Sequence, residues 1–187
     1  MVIFGAPGSG KGTQSEKIVE KYALLHVSTG DILRQEIKAG SALGNLAESY
    51  MSKGQLVPDK LVIDILEKLI ERHRDAKGFI FDGFPRTLAQ GEALDQMLAQ
   101  HGAEVDAVIS LEVDQEELLD RLLKRGLISG RSDDNRETIM SRLKVYEEQT
   151  SPLKDYYRKQ EKLRAIKGVG SIDDIFQSIA TEIDRVL

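Results

Sequence analysis

The sequence predicts an α/β fold: a parallel five-stranded sheet with helices on both faces. Three observations predict it. Five short apolar runs alternate with longer amphipathic ones along 187 residues. A glycine-rich loop, GAPGSGKGT (Gly5 to Thr13), joins the first apolar run to the first amphipathic stretch. The last stretch carries apolar residues on one face at helical spacing. Strands that alternate with helices are joined by crossovers, which makes the sheet parallel and covers it on both sides.

The elements follow in order. Val2–Phe4 is short and wholly apolar, the pattern of a buried strand. Thr13 to Tyr22 reads as a helix with Ile18, Val19 and Tyr22 on one side. Leu25–Val27, Gly78–Phe81, Ala107–Leu111 and Leu163–Ile166 supply the other four strands. In the final helix Ile172, Ile175, Phe176, Ile179, Ile183 and Val186 share one face, and Ser171 with Asp174 forms its capping box. Two regions break the alternation. Residues 28–57 read as two helices with no strand, joined around AGSALG. Residues 125–134, RGLISGRSDD, are polar and contain glycine. Both read as insertions standing off the sheet, where parts that cover a ligand tend to sit.

Composition bounds the function. The length suits one sizeable core. Cysteine is absent, which removes disulfides and thiolate metal sites and fits a reducing compartment. No apolar run approaches the roughly 20 residues of a membrane span. MVIF runs directly into the loop, which leaves no room for a signal peptide. A cytoplasmic protein is expected, with no membrane partner. The net charge of −5 also argues against a nucleic-acid partner, because phosphate backbones need a basic face. A phosphate site in this chain has to be a local cluster of Arg and Lys.

The opening loop has the spacing Gly-x-x-x-x-Gly-Lys, with a strand before it and a helix after it. Glycine lets the backbone wrap an anion, the helix N-terminus adds its positive end, and Lys11 adds a full charge. The usual Ser or Thr directly after the lysine is replaced by Gly12, with Thr13 one place on. The loop alone indicates a nucleoside triphosphate and leaves the class open.

Further motifs narrow it. STGDILR (28–34), GQLVP (54–58) and DGFPRTLAQ (82–90), followed by LLKRG, SGRSDDN and RLKVYEEQTSPL, occur in that order. With the form GxPGxGKGT of the loop, the chain resembles the adenylate kinases with a short lid, over nearly its whole length. The resemblance implies a P-loop NTPase-type fold in a single domain, 1–187. Its core is 1–27, 58–124 and 135–187, with a helical NMP-binding segment at 28–57 and a short lid at about 125–134. It implies transfer of a phosphoryl group from ATP to AMP, giving two ADP, by a monomer.

The resemblance assigns roles by position. Gly8, Ser9, Gly10, Lys11, Gly12, Thr13, Arg125 and Gly170 hold ATP. Arg34 and Arg86 grip the AMP phosphate. Thr29, Gln55, Leu56, Val57, Gly83, Phe84, Pro85 and Gln90 form the remainder of the AMP site, with Arg131 and Arg142 at its edge. Lys11, Arg86, Arg121, Arg125, Arg131 and Arg142 surround the transferring group, and Asp82 orients water on a Mg²⁺ that bridges the donor phosphates. No structural zinc is expected, because the lid is short and lacks Cys. The chemistry fits such a set: the acceptor is already an anion, so the reaction needs charge neutralisation, alignment and exclusion of water rather than a general base.

Several residues have a second, structural reading. Thr87 with Gln90 is itself a capping box, as is Ser28 with Asp31. Arg142 has acidic neighbours to pair with on its own helix. His26, His73 and His101 match no metal-ligand spacing and receive no role. Kinases of UMP or CMP remain the near alternative, although they usually carry Ala where this chain has Thr29. A P-loop binding module without transfer would lack the Arg cluster or Asp82. A switch GTPase would need Asn-Lys-x-Asp, which does not occur. Finally, the cations in the two inserted segments repel one another, so the segments are expected to stand apart until nucleotides draw them together.

Overall fold

The computed structural model describes residues 1–129, 131 and 133–186. Its centre is a sheet of five parallel strands in the order β2-β3-β1-β4-β5: β1 (Val2–Gly5), β2 (Leu25–Ser28), β3 (Phe79–Asp82), β4 (Val108–Glu112) and β5 (Leu163–Lys167). Each predicted strand is present, displaced by at most one residue at its start and extended by one at its end. Those added residues, Gly5, Ser28, Asp82, Glu112 and Lys167, lie together at the carboxyl edge of the sheet.

Period-two alternation builds two cores. Val2, Phe4, Val27 and Phe81 face one side. There they pack with Leu66 and Ile70 of α4 (Asp59–Arg72), Leu94 and Leu98 of α5 (Leu88–Gln100) and Tyr157 of α8 (Leu153–Lys159). Ile3, Ile80, Ile109 and Ile166 face the other side. They meet Ile18 of α1 (Lys11–Tyr22) and Ile175, Ile179 and Ile183 of α9 (Ile172–Ile183). The inner strands β1, β3 and β4 are apolar over most of their length, while the edge strands β2 and β5 admit His26 and Arg164. The capping reading of α9 holds: Ser171 Oγ accepts from the Asp174 N–H at 3.1 Å.

Residues 28–57 form α2 (Thr29–Ala39) and α3 (Ala42–Met51), a helix pair with no strand. The second insertion differs from the sequence reading. Helix α6 (Gln115–Ser129) does not stop at Arg125 but runs on through Ser129, and α7 (Arg136–Val145) begins soon after. Gly126 sits inside the helix, where glycine is normally unfavourable. A Cβ there would lie 2.6 Å from the Asp134 carbonyl oxygen, so glycine is what lets the returning chain pack against the helix. Residues 130 and 132 of the expected lid lie outside the described residues. A small third core, with Ala6, Leu118, Leu122, Ile139 and Leu143, ties α6 and α7 to the end of β1. A wide π turn (Tyr146–Thr150) then leads toward α8.

β1 lies between β3 and β4, so chain direction across the sheet reverses there. Crevices at such a point, beyond the carboxyl ends of the strands, are where open α/β sheets bind ligands. The glycine loop leaves β1 into this crevice. No helix among the described residues is long and apolar enough to cross a membrane.

Candidate nucleotide-phosphate site

The loop between β1 and α1 is built to leave donors unused. Gly10, at the helix N-cap, has φ +96°, a left-handed conformation that favours glycine, and no side chain caps the helix. The first N–H groups of α1 are therefore directed into the crevice without a side-chain partner. Lys11 folds back over the loop, its Nζ donating to the carbonyls of Gly5 at 2.8 Å and Ala6 at 3.2 Å.

Around this loop is a cleft of about 400 Å³. It gathers Lys11, Arg34, Arg86, Arg121, Arg125, Arg131 and Arg142, with Gly8, Gly10, Gly12 and Thr13 of the loop and Asp82 from the end of β3. Every basic residue assigned from sequence thus reaches one place. Burial lowers the Lys11 pKa to about 8, against the pull of Asp82, with Arg86, Arg142 and Arg125 adding to the fall. Burial likewise brings Arg86 down to about 10, with Arg142 and Arg34 contributing and Asp82 opposing. Cations crowded so closely call for anions.

Some anions are already part of the chain. Arg125 makes a bidentate pair with Asp134, Nε at 2.7 Å and Nη2 at 2.6 Å. Arg142 Nη1 lies 2.9 Å from both Asp133 Oδ2 and Asp134 Oδ1. The Asp134 side chain is wholly buried; burial disfavours its charge, yet Arg125 and Arg142 hold its pKa below the ordinary value. Arg142 thus pairs with carboxylates that precede its helix, not with ones on it. Arg121 donates to Glu117 Oε1 at 2.7 Å and to the Gly168 carbonyl at 3.1 Å. Asp82 is also held below its usual pKa: burial opposes ionisation, and His26, Lys11 and Arg86 outweigh it.

The segments expected to stand apart are in contact here. Asp31 lies between two cations, 2.9 Å from Arg34 Nη2 and 4.0 Å from Arg131 Nη2. The helix pair also meets the core, where Thr138 and Ser141 of α7 donate to the carbonyls of Ser52 and Lys53 at 3.1 and 2.8 Å. The repulsion argument counted the arginines and omitted the carboxylate interleaved with them.

A smaller pocket adjoins the cleft. Thr29, Gln55, Leu56, Val57, Gly83, Arg86 and Gln90 line it. Arg86 and Gly83 belong to both spaces, and Arg86 is held by a 2.7 Å bond from its Nε to the Gly83 carbonyl. Thr29 Oγ donates to the Gly83 carbonyl at 2.8 Å. Ser28 and Thr87 do cap their helices, accepting from Asp31 N–H and Gln90 N–H at 3.3 and 3.2 Å, as their second reading states. Pro85 follows a cis peptide bond and lines a third small space with Lys11 and Arg86.

Besides Pro85, three assigned residues line neither the cleft nor the smaller pocket. Ser9 is buried beneath the loop, Phe84 is fully buried in the core, and Gly170 sits exposed in the β5–α9 loop. Four residues that sequence reasoning gave no role belong to the site. Asp133 and Asp134 set the arginines, and Asp59 binds Gln90. His26 places Nε2 3.7 Å from Asp82 Oδ2 and lines the cleft. The signal for the two acids was in SGRSDDN itself, because arginines brought this close need internal counter-charges. Among the described residues no three His, Cys, Asp or Glu side chains converge to hold a metal ion.

A glycine loop at the reversal point of a parallel sheet, with lysine and arginines closing over it, defines a P-loop nucleotide-binding protein. The comparisons with known proteins narrow the class. Residues 3–162 match the family model described as adenylate kinase. The chain is 56% identical over 186 residues to an adenylate kinase of Bacteroides thetaiotaomicron, covering 100% of this chain and 98% of that protein. It is 55% identical to one of Phocaeicola vulgatus with the same coverage. It is 52% identical to one of Porphyromonas gingivalis, covering 99% of this chain and 95% of the relative. The chain belongs to the adenylate kinase family.

The crowding of cations has a measurable consequence. At about pH 9 Lys11 is mostly uncharged in the free protein, and a bound polyphosphate favours its charged form, so binding takes up protons. Calorimetric titration with ATP in buffers of different ionisation enthalpy measures this uptake. It should be present at about pH 9 and fade toward pH 6.5, where Lys11 is already protonated. Equal enthalpies in all buffers at the higher pH would contradict the placement of Lys11 among the arginines.

Proposed function

We propose that this chain catalyses reversible transfer of the terminal phosphoryl group of ATP to AMP, giving two ADP. The observation that carries the proposal is the junction at Arg86. The phosphate cleft and the smaller pocket share this residue, so two nucleotides seated in them would bring their phosphates to one cluster of cations.

In this reading a phosphate oxygen of AMP attacks the terminal phosphorus of ATP. The bond from that phosphorus to the bridging oxygen breaks, and its electron pair stays on the departing ADP. Both the acceptor and the departing group are anions, so no proton has to be moved and no base is required. Arg34 and Arg86 hold the acceptor phosphate. Lys11 and the N–H groups of the loop hold the donor phosphates, and Arg121, Arg125, Arg131 and Arg142 offset the charge that spreads over the transferring group. Asp133 and Asp134 keep two of those guanidiniums oriented before the nucleotide arrives. Segments 28–57 and 125–134 act as covers that exclude water, which would otherwise take the phosphoryl group.

Magnesium fits as a companion of ATP. Of the carboxylates that line the cleft, Asp82 lies beside Lys11 while Asp31 is paired with Arg34, and no cage of ligands forms among the described residues. That donor set suits an ion carried in on phosphates and water, with Asp82 positioning the water. Magnesium supplies charge neutralisation on the donor phosphates. The protein is proposed to act as a monomer in the cytoplasm, in keeping with its lack of Cys and its acidic net charge.

The choice of base rests on Thr29. Its hydroxyl hydrogen is committed to the Gly83 carbonyl, so toward the pocket the oxygen can only accept. An acceptor suits the amino group of adenine and disfavours the oxo group of uracil.

A coupled assay of ADP formation from ATP with AMP, UMP, CMP or GMP tests the proposal. AMP should be the preferred acceptor; preference for UMP or CMP would replace the reading with a pyrimidine nucleotide kinase, and no transfer to any of them with a binding module. Lys11→Met should fold normally and lose roughly 10²-fold or more in turnover, the scale of one electrostatic donor. Near-normal turnover would remove Lys11 from the chemistry. Thr29→Ala should raise the use of UMP relative to AMP, measured as the ratio of kcat/KM values. An unchanged ratio would leave Thr29 as part of the turn before α2 only.

A further inference from the structure

We infer that Asp59, which does not line the nucleotide pocket, sets which class of purine the site accepts by locking the side-chain amide of Gln90 in one orientation. The inference rests on the proposed use of AMP as acceptor and adds a residue outside the base-reading set.

Gln90 is almost fully buried and lines the smaller pocket. Two of its four hydrogen-bonding positions are used within the protein. Its Nε2 donates to Asp59 Oδ1 at 2.7 Å, and its Oε1 accepts from the Arg86 backbone N–H at 2.7 Å. The chemistry of the partners fixes the amide. A backbone N–H can only donate, so the atom facing it has to be oxygen. A carboxylate can only accept, so the atom facing it has to be nitrogen. Rotating the amide by half a turn would set donor against donor at Arg86 and acceptor against acceptor at Asp59, and would lose both bonds. Asp59 is itself held, because Thr87 Oγ donates to its other oxygen at 3.0 Å.

What remains for a ligand is one N–H of Nε2 and one lone pair of Oε1, side by side in a fixed order. A 6-aminopurine presents an amino donor next to an acceptor nitrogen, N1. It matches this order, with the amino group on Oε1 and N1 on Nε2. A 6-oxopurine presents an acceptor oxygen next to an N1–H donor. It would need the amide reversed, which Asp59 and Arg86 forbid. A glutamine free to rotate could serve either purine. Asp59 is therefore a positioning residue: it acts on the base only through Gln90.

Inosine monophosphate is the probe, because it differs from AMP only along this edge. The test measures kcat/KM for AMP and for inosine monophosphate in the wild type, Asp59→Asn and Asp59→Leu. Asn can itself rotate and donate to a reversed Gln90, leaving only Arg86 to oppose the reversal. Leu removes the acceptor altogether. The ratio of AMP to inosine monophosphate should fall about 3-fold in Asp59→Asn and about 10-fold in Asp59→Leu, the scale of one buried hydrogen bond. Asp59 also opens α4 near its positive end, and loss of that structural role alone would change stability and lower both kcat/KM values together, leaving the ratio fixed. A ratio within twofold of wild type in the variants would overturn the inference. If Asp59→Leu fails to fold, Asp59→Asn alone decides on the same criterion. Equal use of the two nucleotides by the wild type would also overturn it. No transfer to AMP by the wild type would instead defeat the proposed function, which separates the two failures.

Discussion

The constraint on which this structure depends is the concentration of positive charge at one end of the sheet. Lys11 and six arginines converge on one cleft in a chain whose net charge is −5. Such a cluster is unstable by itself. Burial lowers the Lys11 pKa to about 8, and the neighbouring arginines add to the fall. The chain manages it with carboxylates placed between the cations: Asp31 between Arg34 and Arg131, Asp134 between Arg125 and Arg142, and Asp82 beside Lys11. These acids neutralise only part of the charge. The remainder is the driving force for binding phosphate, and the acids fix the geometry in which it is presented.

The fold serves that arrangement. Parallel strands bring all five carboxyl ends to one edge, and the reversal at β1 opens a crevice there for the glycine loop. The length of α6 matters as well. By running through Ser129 it carries Arg121 and Arg125 on one continuous element, and Gly126 lets the returning chain place Asp134 against it. A longer side chain at position 126 would push the Asp134 backbone outward and loosen the Arg125 pair. Rigid elements hold the cations from below, and the helix pair α2–α3 brings Arg34 in from the side.

Much of this was legible in the sequence. Buried strands show as short apolar runs, and all five were found that way. The loop and the family motifs singled out basic residues that the fold gathers in one cleft. The partners of those residues were less legible. Whether Gln90 caps a helix or faces a ligand was an open pair of readings, and one does not preclude the other: its backbone N–H serves the cap while its side chain lines the pocket. Asp59 lies 31 residues from Gln90, and no local pattern links them. The helical course of residues 125–129 was not legible, because glycine and polar residues indicate a loop unless a close contact requires them, and that contact, with Asp134, is tertiary. The approach of the two inserted segments was missed for a similar reason. Cations are conspicuous in a sequence, whereas the one carboxylate that bridges them is one acid among 31.

The central claim is that phosphate recognition is built into the protein by its charge, with the base adding selectivity. It is tested most directly by displacement of a fluorescent ATP analogue with inorganic tripolyphosphate and, separately, with adenosine at the same concentrations. The account predicts that tripolyphosphate displaces the analogue, less effectively as salt is raised, and that adenosine leaves it bound. Displacement by adenosine with none by tripolyphosphate would contradict it.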